Sequence, residues 1–320
     1  MRKLRAAVIG VGRVGRLHAA KYAASPDVEL VAVADLSDPV AREAASRFGC
    51  RAVREFRDAL SGVDLVSVTV PTERHCEVAR ACLEARVHVL VEKPITRTVE
   101  EADALIALAS AQGLRLAVGH VERYNPAFVA MRQALARPFF IESERLAEFQ
   151  PRGTDIDVVL DLMIHDIDLA LSLVHAEAST VIACGVKVVT DSIDIATALI
   201  EFADGAVANL SASRVSQTPV RKLRAFGRDG YVSADLHGLR LKVARRADGA
   251  VIAVEEERAF PDADALRAEI EAFVAAVRGE SAAVVTGKDG RRALALALEV
   301  NGRIAERLAR LNLDAPGGRP

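Results

Sequence analysis

Between Leu4 and Gly15 the chain reads LRAAVIGVGRVG. A largely apolar run from Leu4 to Ile9 has the look of a buried strand, and Gly10-x-Gly12-x-x-Gly15 follows it at once. A helical stretch, Arg13 to Ala24, opens behind the glycines, and a second strand, Val28 to Ala34, ends at Asp35, 20 residues past Gly15. Each glycine has its own reason. The first permits a tight strand-to-helix turn, the second lets backbone approach a pyrophosphate, and the third allows close helix–strand packing. The helix N-terminus adds free amides and partial positive charge. An acid at the position of Asp35 accepts hydrogen bonds from ribose hydroxyls and repels a 2′-phosphate, and Leu36 rather than an arginine follows it. Strand, glycines, helix and spaced acid together predict a dinucleotide site that prefers NAD.

Composition narrows the partners. The 320 residues suggest two domains, and 51% hydrophobic content suffices for sizeable cores. A net charge of −2 argues against a nucleic-acid or membrane surface as the main partner. The four cysteines, Cys50, Cys76, Cys82 and Cys184, form no CxxC and suit no structural zinc site. They read as buried free thiols of a cytoplasmic protein, and no metal is expected. The apolar run near the N-terminus is too short for a signal peptide, and no stretch reaches the length of a membrane span.

The first 120 residues alternate strand and helix. Further apolar runs cover Val63 to Val70, His88 to Val91 and Arg115 to Val118, with helical stretches at Pro39 to Phe48, Thr72 to Ala85 and Val99 to Gln112. This alternation predicts an α/β fold: a Rossmann-type, doubly wound parallel sheet whose ligands sit at the carboxyl ends of the strands. Past Tyr124-Asn125-Pro126 the character changes. Long β-like segments follow at Phe139 to Phe149, Val181 to Val189, Ile195 to Phe202, Ala206 to Ser213, Val220 to Phe226 and Leu239 to Arg245. Hairpin turns at Ala203-Asp204-Gly205, Arg228-Asp229-Gly230 and Ala247-Asp248-Gly249 make that sheet mostly antiparallel. Helices are expected at Asp157 to Val174, Ala265 to Arg278 and Gly287 to Leu311. The expected division is 1–120 for the dinucleotide domain, 121–313 for an α+β substrate and oligomerisation domain, and 314–320 for a loose tail.

Two places can carry chemistry. Glu92-Lys93-Pro94 directly follows a strand end, where Lys93 can donate to a substrate oxygen or offset developing alkoxide charge. In the helix DVVLDLMIHDIDLALSLV, residues Asp157, Asp161, His165, Asp168 and Ser172 fall in one stripe about 80° wide at helical spacing. Nearly all else there is apolar, Asp166 excepted, which suggests the wall of a cleft. Asp161 and His165 are i, i+4 neighbours, so the acid can orient the imidazole as a base for a hydroxyl proton. His75 begins a helix after a strand end and is placed to line the cofactor cleft, and His120 closes the last strand of the first domain. His18, His88, His175 and His237 read as packing or surface residues.

These residues resemble those of the Gfo/Idh/MocA oxidoreductases. The matching elements are Gly10-x-Gly12-x-x-Gly15, Val70-Pro71-Thr72 with His75, Glu92-Lys93-Pro94, Gly119-His120 with Arg123-Tyr124-Asn125-Pro126, and Asp161-x-x-x-His165. They stand in the family's order and cover most of the chain. The resemblance implies a Rossmann domain followed by an α/β domain with a large open sheet, often used for oligomer contacts, here a homodimer or homotetramer. It implies that Lys93, Asp161 and His165 hold the catalytic positions, with the base either His165 or Lys93. NAD would lie against Gly10, Gly12, Arg13, Val14, Gly15, Asp35, Pro71, Thr72, His75, Glu92 and Lys93. The sugar would lie against Lys93, Arg123, Tyr124, Asn125, Arg152, Asp161 and His165. One departure is visible: many members carry a Gly-Gly pair shortly before the aspartate, and this chain has Asp157-Val158-Val159. Arg152-Gly153-Thr154-Asp155 leading into the polar helix resembles a subgroup acting on nucleotide sugars, the UDP-N-acetylglucosamine 3-dehydrogenases of lipid A or surface-glycan synthesis. A diphosphate would need cations, for which Arg145, Arg152 and Arg214 are candidates. A dehydrogenase of a free polyol or sugar, and a non-catalytic NAD-binding regulator, are the alternatives.

Overall fold

The computed structural model describes residues 2–135, 137–150, 156–228, 230–246, 252–280 and 284–311. The first strands are short and apolar on both faces, as buried parallel strands must be. In chain order they run β1 (Leu4–Ile9), α1 (Arg13–Ala24), β2 (Val28–Ala34), α2 (Asp38–Phe48), β3 (Arg51–Val53), β4 (Leu65–Val68), α3 (His75–Glu84), β5 (His88–Glu92), α4 (Val99–Gln112) and β6 (Leu116–Gly119). The six strands form one sheet in the order β3-β2-β1-β4-β5-β6, with every neighbouring pair parallel. The order reverses between β1 and β4, and that switch point is where such sheets bind ligands. Local signals set the helix ends. Thr98 and Glu101 form a reciprocal capping box at the start of α4, and Gly113 ends it in the left-handed conformation.

Two compact units emerge. Residues up to Tyr124 together with Asp264–Arg291 form one, and Asn125–Ala263 together with residues from Arg292 form the other. This differs from the division expected at residue 120, because a late segment returns to the first unit. Its helix carries Ile270, Phe273 and Val274 into the core built on Ala6, Val8, Tyr22 and Leu90. One backbone and one side-chain bond fix the return: Val118 N–H donates to the Val285 carbonyl, and Arg115 Nε donates to the Ala276 carbonyl. Periodicity announces a helix with an apolar face but not the sheet that face covers.

The second unit holds α5 (Pro126–Ala134), β7 (Phe140–Leu146), α6 (Ile164–Val174), β8 (Ala178–Val186), β9 (Ile195–Phe202), β10 (Val207–Ser213), β11 (Val220–Gly227), β12 (Gly230–Asp235), β13 (Arg240–Arg246) and β14 (Ile252–Ala259). The chain then runs through α7 (Ala265–Val277), the helix of the first unit, and α8 (Gly287–Arg310). Eight strands form one sheet in the order β14-β13-β12-β11-β7-β10-β9-β8. All pairs are antiparallel except β10 with β7. Alternation buries one face: Ala196, Ala198, Ile200 and Phe202 of β9 sit beside Ala208, Leu210 and Ala212 of β10, and α6 joins the same core. The sequence reading missed β12, β14 and α5. The turn at Ala247-Asp248-Gly249 and the tail 314–320 lie outside the described residues. Cys184 is exposed rather than buried. Among the described residues no helix is long and apolar enough to cross a membrane.

Candidate active site

The cofactor cradle is shaped by missing side chains. Gly10 adopts φ +88°, and a Cβ there would stand 2.8 Å from the backbone of Thr69 and Val70. A Cβ on Gly15 would stand 1.9 Å from the Gly10 carbonyl oxygen. These two glycines let β1, β4 and α1 close on one another. Gly12 differs, because a Cβ there meets nothing within 4 Å. It is the N-cap of α1 and makes no side-chain cap bond. The first turn of α1 therefore opens onto free space lined by Gly12, Arg13 and Val14, as an anion site requires.

The open space is a cavity of about 570 Å³ lined by Gly10, Gly12, Arg13, Val14, Asp35 and Leu36 on one side and Thr69, Val70 and Pro71 on the other. Asp35 is fixed at its wall: Oδ2 accepts from Val11 N–H and Oδ1 from Ser37 N–H. Arg54, Phe56 and Arg74 also line it, and the sequence reading missed all three. Arg54 directly follows β3, a strand of three residues that no apolar run announces. The donor set and the open Gly12 fit a dinucleotide: amides for the pyrophosphate and a carboxylate for ribose.

His75 does not line this cavity. It is buried, with Nδ1 2.8 Å from the Pro94 carbonyl and Nε2 2.9 Å from the Val70 carbonyl. Burial pushes its imidazole below the ordinary value, although both carbonyls pull the other way. Its place is that of a clamp between the ends of β4 and β5. Thr72 opens a short 3₁₀ turn before α3 and is also absent from the lining. Lys93 is half-buried after β5, and Glu92 beside it is engaged by His18 and by the Lys93 N–H. His120 is buried at the end of β6.

The Arg123-Tyr124-Asn125 stretch makes its contacts within the fold. Arg123 lies 3.9 Å from Asp289, and the Tyr124 hydroxyl accepts from Val285 N–H. Asn125 was expected against the sugar, yet it is buried. Its oxygen caps α5 at Ala127 N–H and its amide donates to the Leu236 carbonyl.

In the second unit the polar helix is not one regular α-helix. A π turn spans Val159–Met163 before α6 begins, so spacing at 100° per residue does not hold across Asp161. Most of the expected stripe is absorbed by the fold. Asp157 accepts from the Val159 and Leu160 amides and from Asn301 Nδ2. Asp168 is buried, and Ser172 donates to the Leu169 carbonyl. Three members are half-buried: Asp157, held by the bonds just named, Asp161 in the π turn and His165 in the first turn of α6. Asp166, set aside as an exception, is buried against Arg145 in a bidentate pair at 2.7 and 3.1 Å. Arg145 is thus committed to a carboxylate, not held for a diphosphate. Arg214 is likewise buried, donating to the Ile156 carbonyl near Asp194. Arg152 lies outside the described residues.

Comparison with known proteins agrees with this architecture. Residues 4–120 match the model described as oxidoreductase family, NAD-binding Rossmann fold, and residues 133–233 match the GFO/IDH/MocA C-terminal domain. The chain is 45% identical over 302 residues to the UDP-N-acetylglucosamine 3-dehydrogenase of Acidithiobacillus ferrooxidans, covering 93% of this chain and 96% of that one. The solved structure of that enzyme superposes with a TM-score of 0.90 at 44% identity, over 96% of this chain and 100% of the other. Inositol 2-dehydrogenase of Rhizobium meliloti is 28% identical over 95% of this chain and 98% of its own length. GenD2 of gentamicin A biosynthesis, solved in complex with NAD, has a TM-score of 0.82 at 26% identity, over 96% of this chain and 95% of that one. The chain belongs to the Gfo/Idh/MocA family of NAD-dependent oxidoreductases.

Proposed function

We propose that the protein oxidises the 3-hydroxyl of UDP-N-acetylglucosamine to the 3-keto sugar, with NAD as the acceptor. The observation that carries this is the 45% identity over nearly the whole chain to an enzyme of that name. Bound NAD supplies the hydride acceptor for the sugar carbon. The first-turn amides of α1 hold its pyrophosphate, and Asp35 accepts from its ribose. Lys93 donates to the reacting hydroxyl and offsets the charge that develops on its oxygen. His165, oriented by Asp161, takes the hydroxyl proton. The product enters amino-sugar synthesis for lipid A or a surface glycan. UDP-sugars are drawn from the cytoplasm, and the protein works there, as a homodimer or homotetramer through its eight-stranded sheet.

A second reading, oxidation of a free polyol, is favoured by the inositol dehydrogenase likeness. NADH formation with UDP-N-acetylglucosamine, UDP-glucose, free N-acetylglucosamine, glucose and myo-inositol separates the two. Turnover confined to UDP-N-acetylglucosamine is expected, and turnover with myo-inositol alone moves the protein to the second reading. In the same assay His165→Ala loses about 10²- to 10⁴-fold in turnover while NAD binding persists. Near-normal turnover would remove His165 from the chemistry.

A further inference from the structure

One helical turn beyond Gly15, α1 carries His18, which is wholly buried. Its Nδ1 lies 3.0 Å from Ser67 Oγ on β4, and its Nε2 lies 3.1 Å from Glu92 Oε1 at the end of β5. Tyr22, a further turn along α1, is also wholly buried, its hydroxyl 2.9 Å from the same Ser67 oxygen. The second oxygen of Glu92 accepts from the backbone N–H of Lys93 at 3.3 Å. Gly119 on β6 leaves room for this carboxylate, since a Cβ there would stand 2.9 Å from Glu92 Oε1. A chain of contacts thus runs from the helix that cradles the cofactor to the residue next to Lys93.

Its proton order can be assigned from the partners. Burial raises the Glu92 carboxyl, but the His18 hydrogen bond and the nearby charges of His18, Lys93 and His75 outweigh it and hold the group below its ordinary value. An ionised carboxylate accepts and never donates, so His18 Nε2–H donates to it. The other ring nitrogen lies against Ser67 Oγ, which also meets the Tyr22 hydroxyl. Burial pushes the Tyr22 phenol far above its ordinary value, so the last proton stays in place. His18, Glu92 and the buried Glu269 of α7 also bring ligand atoms within 4.8 Å of one another. Both ring nitrogens of His18 are engaged in hydrogen bonds to Ser67 and Glu92.

We propose that His18 is a positioning residue: by holding Glu92 it fixes the chain at Lys93. This rests on the role given to Lys93 above. The cradle helix and the substrate lysine are then tied through one partly buried hydrogen bond, and a shift of either is felt by the other.

Two substitutions of similar polarity separate positioning from packing. In His18→Gln the amide can stand where Nε2 stood and still donate to Glu92. In His18→Asn it can stand where Nδ1 stood, meeting Ser67 but withdrawn from Glu92. The Asn variant is expected to lose about 100-fold in kcat, with KM for NAD and sugar changed less than about threefold, whereas Gln retains most of the rate. A readout independent of turnover is the NMR signal of ¹³C-methylated Lys93 in the cofactor-free protein, assigned with Lys93→Arg. It is displaced in the Asn variant and restored in the Gln variant. Equal loss in both variants, or an unmoved Lys93 signal, overturns the proposal, as does a tightly bound divalent metal that either substitution releases. Should the wild-type enzyme turn over none of the sugars tested, the substrate reading fails while the Lys93 signal still decides this one.

Discussion

The cradle at the end of β1 and the polar helix at α6 solve opposite problems. Around Gly10 and Gly15 the fold needs side chains to be absent, because backbone lies 2.8 Å and 1.9 Å from where a Cβ would be. Around α6 it needs charges to be present, because Asp166 is buried and Arg145 answers it within hydrogen-bond distance. The first region is governed by steric exclusion, which is steep and insensitive to pH or salt. The second is governed by compensation between groups, where removing one partner strands the other. Substitutions in the two regions should therefore fail in different ways.

The largest effect is expected at the buried pair. Arg145→Met leaves the Asp166 carboxylate without its guanidinium and should cost about 3–5 kcal/mol in urea unfolding. The double variant Arg145→Met/Asp166→Leu should recover most of that loss, since the uncompensated charge goes with it. A double variant no better than the single would mean that Arg145 matters through its shape or its other contacts, and the contrast with the cradle would weaken.

The cradle is expected to split within itself. Gly15→Ala should destabilise by about 1–3 kcal/mol, because the Gly10 carbonyl must move aside. Gly12→Ala should leave the melting temperature nearly unchanged, since its Cβ meets nothing within 4 Å and its φ of −64° is not left-handed. It should still weaken NAD binding by about 10-fold, because the methyl stands where a pyrophosphate approaches. Calorimetry of folding and a binding titration on the same samples separate the two costs. A Gly12→Ala protein that binds NAD normally would show the cradle to be wider than one missing methyl group implies.

The same contrast explains what could be read from the residues. Strand Leu4–Ile9 and helix Arg13–Ala24 were legible because local rules fix them: an apolar run, a glycine turn, an open helix start. Ile195–Phe202 was legible from its alternation. The polar helix was legible as a helix but its stripe was not, because the amphipathic pattern presumes an α-helical period and the π turn at Val159–Met163 breaks it. Nor does a sequence state that Asp166 will meet Arg145 or that Asn301 will reach Asp157, pairings that depend on long-range packing. Arg54 and Arg74 escaped for a similar reason: Arg54 follows a three-residue strand and Arg74 ends a short 3₁₀ turn, and neither local pattern says that the side chain will line the cavity. His18 read as a packing histidine, and what distinguishes it is its pair of partners on β4 and β5.

The smallest expected effect tests whether compensation in the second unit extends beyond α6. Asp194 is wholly buried, and its Oδ2 accepts from the amides of Val188, Val189 and Thr190 while Oδ1 accepts from the Thr190 hydroxyl. Burial raises this carboxyl, but those bonds outweigh it and hold it at about 2 against an ordinary 3.8. The loop so held matters to the site, because Ile193 accepts from Val158 N–H just before the π turn that carries Asp161. A depressed carboxyl stabilises the fold above its unfolded value and loses that contribution as pH falls toward its folded value. The full contribution is about 2 kcal/mol near neutrality, with about half of it gone by pH 3. Other carboxyls titrate in the same range, so the informative quantity is the gap between wild type and Asp194→Asn in urea midpoint. That gap should narrow between pH 6 and pH 3 as the unfolded wild-type chain takes up a proton at this carboxyl while the folded one stays ionised. A gap that stays constant across this range would show Asp194 to act by shape, as the glycines do, and would extend steric control into the second unit.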